Sequence, residues 1–176
     1  YTPGVIESRS GPWEGGNGPA TSGRGTLERR WITFFLVLGL AARSARFFLR
    51  FPLWEDECFL AINFIDRGFA ALWRPLDHHQ VAPPLFLWVE LSLVRSLGFT
   101  EWSLRLFSFV SSVAGLLLFR AVAARWLKGL ALVLAVGAFS VSYPAIRYAA
   151  EAKPYGSDAL VSLILLALFS RALSGP

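Results

Sequence analysis

The chain has 176 residues and a formal net charge of +5, with 55% hydrophobic residues, only 16% charged residues and a mean hydropathy of +0.50. Soluble domains average roughly 45–50% apolar and 25% charged residues, so this composition argues against an ordinary soluble domain. Because most basic residues sit beside apolar runs and not on a polar face, we expect no nucleic-acid partner.

The first 25 residues are rich in glycine, proline, serine and threonine and carry no periodic apolar residues. Such a segment cannot bury enough surface to offset the entropy of ordering, so a disordered polar tail is predicted for residues 1–25. The chain contains no methionine and begins with Tyr1, a pattern that we expect of a fragment or a processed protein.

The first apolar segment, Trp31–Leu49, would extend about 28 Å as a helix, close to the thickness of a bilayer core. It contains Arg43 and Arg46, and Arg50 follows it directly. Their i, i+3, i+7 spacing places the three guanidinium groups on one helical face. We interpret the segment as a membrane span whose arginines pair with acidic residues or anionic lipid, with snorkelling to the interface as the alternative.

Three consecutive acids, Glu55, Asp56 and Glu57, come directly after this span. They repel one another unless basic groups balance them. The stretch is therefore either a solvated loop or the acidic half of a polar site.

A polar stretch, Asp77–Gln80, and a short apolar stretch, Val81–Val94, follow. The aspartate and two histidines of the first stretch could bind a divalent metal, although adjacent histidines in a loop are more often polar surface, so we predict no cofactor. The second stretch opens with two prolines, which suit the first turn of a helix, but it is short and has Glu90 in its middle. We predict a helix lying along the membrane interface, with a span as the alternative.

Three further apolar segments complete the predicted membrane domain, residues 31–176. Their bounds are Leu106–Ala124, Gly129–Ile146 and Tyr155–Ser170. The last is shorter than the others and carries Asp158 near its start. Arg105 opens the second span and could pair with Glu101, four residues earlier. The predicted fold class is therefore all-α, a polytopic transmembrane helical bundle with about four spans.

A dense polar cluster lies between the third and fourth spans and consists of Arg147, Tyr148, Glu151, Lys153 and Tyr155. It would suit a phosphate head group, although an interfacial belt of tyrosine and basic residues explains the pattern nearly as well. With four spans, lysines and arginines divide evenly between the two sides, whereas nine of the twelve acids fall on the side of this cluster. We predict a polar site at that membrane face.

Four motifs follow one another with membrane spans between or beside them: WEDE, HHQVAPPLFLWVEL, LGFTEWSLRLFS and IRYAAEAKPY. Over residues 31 to about 170 this order resembles the N-terminal part of the integral-membrane glycosyltransferases of the GT-C class, which include protein O-mannosyltransferases and bacterial aminoarabinose transferases. The resemblance implies transfer of a sugar from a polyprenyl-phosphate donor to an unidentified acceptor, with inversion, at the outer face of a bacterial cell membrane. Because the family has many further spans, we expect this piece alone to be inactive.

Residue by residue, the resemblance puts the family's catalytic aspartate on Asp56, with Glu57 beside it. The arginine that heads the family's second span falls on Arg105, and Lys153 stands where the family often has arginine. An inverting transfer needs a carboxylate to accept the acceptor's proton and cations to stabilise the departing phosphate. The predicted ligands of the lipid phosphate are Arg105, Arg147, Lys153 and Tyr155.

Two other classes of function fit the sequence. A transporter or channel subunit would use acids and arginines along a substrate path, and it predicts charges at midplane depth. A structural membrane protein would leave the acid-rich outer segment without an explanation.

Overall fold

The computed structural model describes residues 20–173, and within this range the fold is all-α, as the sequence predicts. The α-helices of the described residues are α1 (Ala20–Phe48), α2 (Glu55–Asp66), α3 (Pro84–Leu97), α4 (Glu101–Trp126), α5 (Leu130–Ser140), α6 (Tyr143–Arg147) and α7 (Tyr155–Leu173). Short 3₁₀ helices cover Phe69–Trp73, Asp77–His79 and Tyr148–Ala150. The tail predicted for residues 1–25 lies outside the described residues, apart from residues 20–25, which belong to α1.

Three helices are long and apolar enough to cross a membrane, namely α1 from Gly23 onward, α4 and α7. The α5 helix and the segment Tyr143–Ala150 make a fourth span if they are counted together, with a bend of 48° between them. The chain is therefore a multi-pass membrane protein, in agreement with the predicted number of spans. The α4 helix lies at the centre, since it packs against α1, α3, α5 and α7.

The third predicted span, Gly129–Ile146, is not one straight helix. The α5 helix ends at Ser140, and α6 begins at Tyr143 with Pro144 in its first turn. Proline has no N–H, so it cannot donate to the carbonyl four residues earlier, which is that of Ser140. The hydrogen-bond ladder of α5 therefore stops before Pro144, and the span breaks there.

Arg43 of α1 binds the carbonyl groups that this break leaves open. Its Nη1 donates to the carbonyl oxygen of Ser140 at 2.9 Å and to that of Gly39 at 3.0 Å, and its Nη2 donates to that of Phe139 at 3.3 Å. Its Nε donates to the Ser112 hydroxyl of α4 at 3.1 Å, and the residue is fully buried. A cation at the C-terminal end of a helix also meets the negative end of the helix dipole. Arg43 thus joins α1, α4 and α5.

Two glycines let α1 and α5 approach closely beside Arg43. A Cβ at Gly39 would lie 2.9 Å from the Cβ of Ser140, and one at Gly137 would lie 3.2 Å from the ring of Phe35. Close backbone approach of this kind is how membrane helices gain packing contacts, because lipid provides little hydrophobic drive for them to associate.

The prediction that Arg43, Arg46 and Arg50 pair with acidic residues is wrong, since none of them forms an ion pair within residues 20–173. Arg43 instead donates to the open carbonyl groups of the broken span. The guanidinium of Arg46 lies 4.7 Å from the ring centre of Phe51, and that of Arg50 lies 4.0 Å from that of Trp102. Contact of Arg46 and Arg50 with anionic lipid stays a prediction.

The helix predicted within Val81–Val94 is present as α3, and Pro84 opens it. Its 14 residues extend about 21 Å, which is short against a bilayer core of about 30 Å. Its place at the interface stays a prediction. One face packs into an apolar core with α2 and the start of α4. Glu90 is fully buried in α3, and neither of its carboxyl oxygens has a hydrogen-bond partner.

We expect Arg43→Met to lower the thermal stability of the detergent-solubilised protein far more than Arg46→Met does. Methionine leaves the buried carbonyls of Phe139 and Ser140 without this donor, at about 1–3 kcal/mol for each unsatisfied group. Arg46 is the matched control because it lies one turn further along α1 and makes no hydrogen bond within the described residues. Thermal unfolding followed by tryptophan fluorescence measures both variants, and equal shifts of the midpoint would contradict the role given to Arg43.

Candidate functional site

The three consecutive acids form the first turn of α2 and not a loop. Negative side chains are stabilised in a first turn because the helix dipole places partial positive charge there. The carboxylate of Glu57 also accepts a hydrogen bond from the backbone N–H of Trp54 at 3.0 Å, which caps the helix. The three side chains then diverge, because Glu55 and Asp56 are exposed whereas Glu57 is buried.

Glu57 is buried against Arg105, which lies in the second turn of α4. Nε of Arg105 donates to Oε1 at 3.0 Å and Nη2 donates to Oε2 at 2.8 Å, so the pair is bidentate. Oε1 of Glu57 also accepts from the backbone N–H of Ala152 at 2.7 Å. The remaining contacts of Arg105 go to the carbonyl oxygens of Phe51 at 2.7 Å and Pro52 at 3.4 Å.

This arrangement changes the roles expected of Arg105. The pairing with Glu101 predicted from their spacing is wrong, because Glu101 is exposed and the guanidinium of Arg105 binds Glu57 instead. Arg105 is only 2% exposed, and its donors are occupied by the carboxylate and by backbone carbonyls. We therefore revise it from a phosphate ligand to a residue that positions α2 against α4.

Asp56 points away from this buried pair, with a side chain that is 69% exposed. Its Oδ2 lies 3.4 Å from Nζ of Lys153, and its Oδ1 accepts from Nε2 of Gln80 at 3.4 Å. Nζ of Lys153 also donates to Oε1 of Gln80 at 2.8 Å. A carboxylate, an ammonium and an amide thus form a triangle of contacts.

Arg147 and Tyr155 lie beside this triangle. Nε of Arg147 donates to Oε1 of Glu151 at 2.6 Å, and its guanidinium lies 5.1 Å from the ring centre of Trp54. The ring of Tyr155 packs on that of Tyr148, with centres 4.5 Å apart. The side chain of Arg147 keeps 31% of its surface exposed, so it stays within reach of an anion.

These side chains surround one cavity of about 410 Å³. The aromatic residues that line it are Trp54, Phe59, Tyr148 and Tyr155. The charged residues that line it are Glu55, Asp56, Glu57, Arg147, Glu151 and Lys153. An exposed carboxylate in such a cavity can accept a proton from a hydroxyl, and the neighbouring cations can hold an anion.

The cavity contains residues of both polar stretches predicted from the sequence, the acidic turn of α2 and the Arg147–Tyr155 cluster. The hydrogen bond between Glu57 and Ala152 joins the two stretches across 95 residues of sequence. Asp56, Glu57, Arg147, Lys153 and Tyr155 line it, and Arg105 does not.

Sequence reasoning missed Gln80 and the partnership of Glu151 with Arg147. The i, i+4 spacing of Arg147 and Glu151 was a usable signal, since such pairs meet on one helical face. Gln80 had no local signal, because its contact with Lys153 joins residues 73 positions apart.

The metal alternative at Asp77–Gln80 gains no support from the geometry. Asp77 pairs with Arg67 at 2.8 Å, and the ring of His78 stacks on Phe59 with centres 4.5 Å apart. Among the residues that the structure describes, no three histidine, cysteine or acidic side chains are grouped to hold a metal ion.

Comparison of the chain with protein-family models, with curated proteins and with solved structures found no match.

We expect Glu57→Gln to destabilise the protein strongly, because it leaves the buried Arg105 charge without its partner. Breaking a buried pair in this way typically costs about 3–5 kcal/mol. Asp66→Asn, an exposed acid at the other end of α2, is the control and is expected to have little effect. The unfolding midpoint in detergent measures both. The double variant Glu57→Gln/Arg105→Met should regain part of the loss, and no recovery would contradict this account.

Proposed function

We propose that this chain is part of a membrane glycosyltransferase of the GT-C class, which transfers a sugar from a polyprenyl-phosphate carrier to an acceptor hydroxyl with inversion. The observation that carries the proposal is the cavity in which the exposed Asp56 carboxylate lies 3.4 Å from the Lys153 ammonium. A base and a cation at that separation are the two groups that such a transfer needs. The order of the four sequence motifs is the second support.

In the proposed reaction Asp56 accepts the proton of the acceptor hydroxyl while the hydroxyl oxygen attacks the anomeric carbon. The bond between that carbon and the phosphate oxygen breaks, and its electron pair leaves with the lipid phosphate. Lys153 and Arg147 stabilise the negative charge on the departing phosphate, and Tyr155 offers a hydroxyl donor beside them. The sugar is thereby attacked from the side opposite the phosphate, which inverts its configuration.

The position of the cavity suits a lipid-linked donor. Lys153 lies two residues before α7 begins, and Glu57 is bonded to Arg105 near the first turn of α4. Since both helices are candidate spans, the cavity opens where spans end and lipid head groups lie. A polyprenyl chain could remain in the bilayer while its phosphate enters the cavity.

Glu57 and Arg105 contribute to the proposed site as positioning groups. Their ion pair fixes the first turn of α2 against α4, and the bond from Ala152 fixes the segment that carries Lys153. Asp56 is the chain neighbour of Glu57, and Lys153 is the chain neighbour of Ala152. The resemblance assigned Glu57 to the catalytic pair, and we assign it the support of Asp56.

The proposed location is the inner membrane of a bacterium, with the cavity at the outward face. Lys128 lies past the C-terminal end of α4, roughly 30 Å along the helix from Arg105. The acidic turn of α2 and the Arg147–Tyr155 cluster would then share the outer side, with Lys128 on the inner side.

The transporter alternative depended on charges deep in the spans, of which Arg43 is the clearest. Four hydrogen bonds to the protein occupy its guanidinium, so it is not free to line a substrate path. The observations therefore favour the transferase.

We expect Asp56→Asn to lower transfer by about 10²- to 10⁴-fold, because the amide keeps the shape of the side chain and loses its basicity. The measurement is release of polyprenyl phosphate from polyprenyl-phosphate mannose or aminoarabinose, in membranes that contain the complete product of the gene. Asp66→Asn is the matched control, since it removes an exposed acid from the same helix outside the cavity. Normal turnover by Asp56→Asn, with equal amounts of protein in the membrane, would overturn the proposed base.

We expect Lys153→Ala to weaken binding of polyprenyl monophosphate by about tenfold or more, because a charge-assisted hydrogen bond to the phosphate is lost. The chain has only two lysines, so Lys128→Ala removes the same charge at the other end of α4 and is the natural control. Titration of the lipid phosphate into protein held in nanodiscs gives both affinities. If the two variants lose affinity equally, the attraction is a general surface effect and Lys153 is not a phosphate ligand.

A further inference from the structure

One face of α2 and its end carries a row of contacts that continues from Asp56. The row consists of Asp56, Phe59, Asn63 and Arg67, spaced three or four residues apart, so these side chains lie above one another on the helix surface. Asn63 is only 1% exposed although it is polar, which indicates that this face binds another part of the chain.

The segment that binds this face is residues 75–80. Oδ1 of Asn63 accepts from the backbone N–H of Asp77 at 2.9 Å, and Arg67 binds the carboxylate of Asp77 at 2.8 Å. Arg67 also donates to the carbonyl oxygen of Pro75 at 2.9 Å. Near Asp56 the ring of His78 stacks on Phe59. The segment is thus attached to α2 along its length, from Pro75 to His78.

The backbone at the end of this segment is strained. His78 and His79 have φ values of 56° and 54°, in the left-handed region that residues with a Cβ rarely occupy. Such conformations persist only where surrounding contacts enforce them, and here the contacts of Asp77 and His78 do so. The result of the double left-handed turn is that the next residue, Gln80, meets both Asp56 and Lys153.

We propose that Gln80 is a positioning residue whose side-chain amide bridges Asp56 and Lys153 and limits their direct pairing. Its Oε1 accepts a hydrogen bond from Nζ of Lys153 at 2.8 Å, and its Nε2 donates to Oδ1 of Asp56 at 3.4 Å. The Asp56 carboxylate and the Lys153 ammonium are 3.4 Å apart. This inference rests on the proposed function, because it explains how a base can stay available beside a cation that binds phosphate.

Charge balance around Asp56 gives the bridge its importance. A lysine in direct contact with a carboxylate stabilises the ionised form and makes it a weaker base. A neutral amide shares the ammonium without adding charge, whereas a carboxylate at position 80 would hold Lys153 and repel ionised Asp56. The other charged or titratable groups near the cavity and the bound segment are Glu55, Glu57, Arg67, Arg74, Asp77, His78, His79, Arg147, Tyr148, Glu151 and Tyr155.

The first test needs no transfer activity. Lys153 and Lys128 are the only lysines of the chain, so the ratio of their acylation rates by acetic anhydride, read by peptide-resolved mass spectrometry, has an internal reference. The test is made in an Asp56→Asn background, where no carboxylate can take over the ammonium when the bridge is lost. There Gln80→Leu removes the Oε1 acceptor and should raise the relative rate at Lys153 by roughly three- to tenfold, as expected for the loss of one hydrogen bond. Gln80→Glu keeps an acceptor and adds charge, so it should lower the rate.

Val81→Glu is the matched control, because Val81 adjoins Gln80 and is 92% exposed. It adds the same charge to the same segment and should leave the ratio unchanged. Opposite shifts in the leucine and glutamate variants support the bridge, since a merely structural disturbance would move both in one direction. An unchanged ratio in both variants, or equal shifts in Gln80→Glu and Val81→Glu, would overturn it.

The second test is the pH profile of transfer by the complete product of the gene. In Gln80→Glu the acid limb should move to higher pH, because the added carboxylate withdraws Lys153 and disfavours ionised Asp56. Val81→Glu should keep the limb of the unaltered protein. A limb that stays in place in Gln80→Glu would overturn the positioning role.

The two tests separate the two proposals. An unaltered protein that transfers no sugar overturns the proposed function, while the acylation ratio still decides whether Gln80 bridges Asp56 and Lys153. A protein that transfers sugar but shows no change of ratio retains its proposed function and loses the bridge.

Discussion

The buried carboxylate of Glu57 is the interaction on which the polar end of this protein depends. A charge removed from water is costly unless partners surround it, and Glu57 receives hydrogen bonds from Arg105, from the N–H of Trp54 and from the N–H of Ala152. These partners belong to three separate segments of the chain. Satisfying one carboxylate therefore fixes the start of α2, the start of α4 and the approach to α7 in one arrangement.

The same constraint explains why the exposed groups meet. Asp56 and Lys153 are the neighbours in sequence of Glu57 and Ala152, whose side chain and backbone are bonded at 2.7 Å. The hydrogen bond between Glu57 and Ala152 therefore brings Asp56 and Lys153 together in the cavity. Arg43 has a comparable role elsewhere in the bundle. The carbonyl groups left open before Pro144 need a donor, and Arg43 provides it. After the break, α6 ends at Arg147, which lines the cavity.

The sequence predicted those features that depend on local pattern. Apolar runs of bilayer length located the spans, paired prolines located the start of α3, and the density of charge in two stretches located the polar site. It failed where a long-range contact decides the outcome. The partners of Arg43 are mostly backbone carbonyl groups, which no residue type identifies in a sequence. The partner of Arg105, Glu57, lies 48 residues away, too far for any local pattern to indicate it. Gln80 was missed for the same reason, and the break before Pro144 could have been read from the proline itself.

Glu90 gives the docking of α3 a dependence on acidity. Burial without a partner raises the pKa of its carboxyl from 4.5 to about 9, so the folded protein keeps Glu90 neutral where the unfolded chain ionises it. Folding at neutral pH therefore takes up a proton from the medium. By linkage, the stability gained from this helix is greatest below about pH 4.5 and declines as the pH rises toward 9. The proton concentration around α3 is thus one of the quantities that set how firmly α3 packs against α2 and the start of α4.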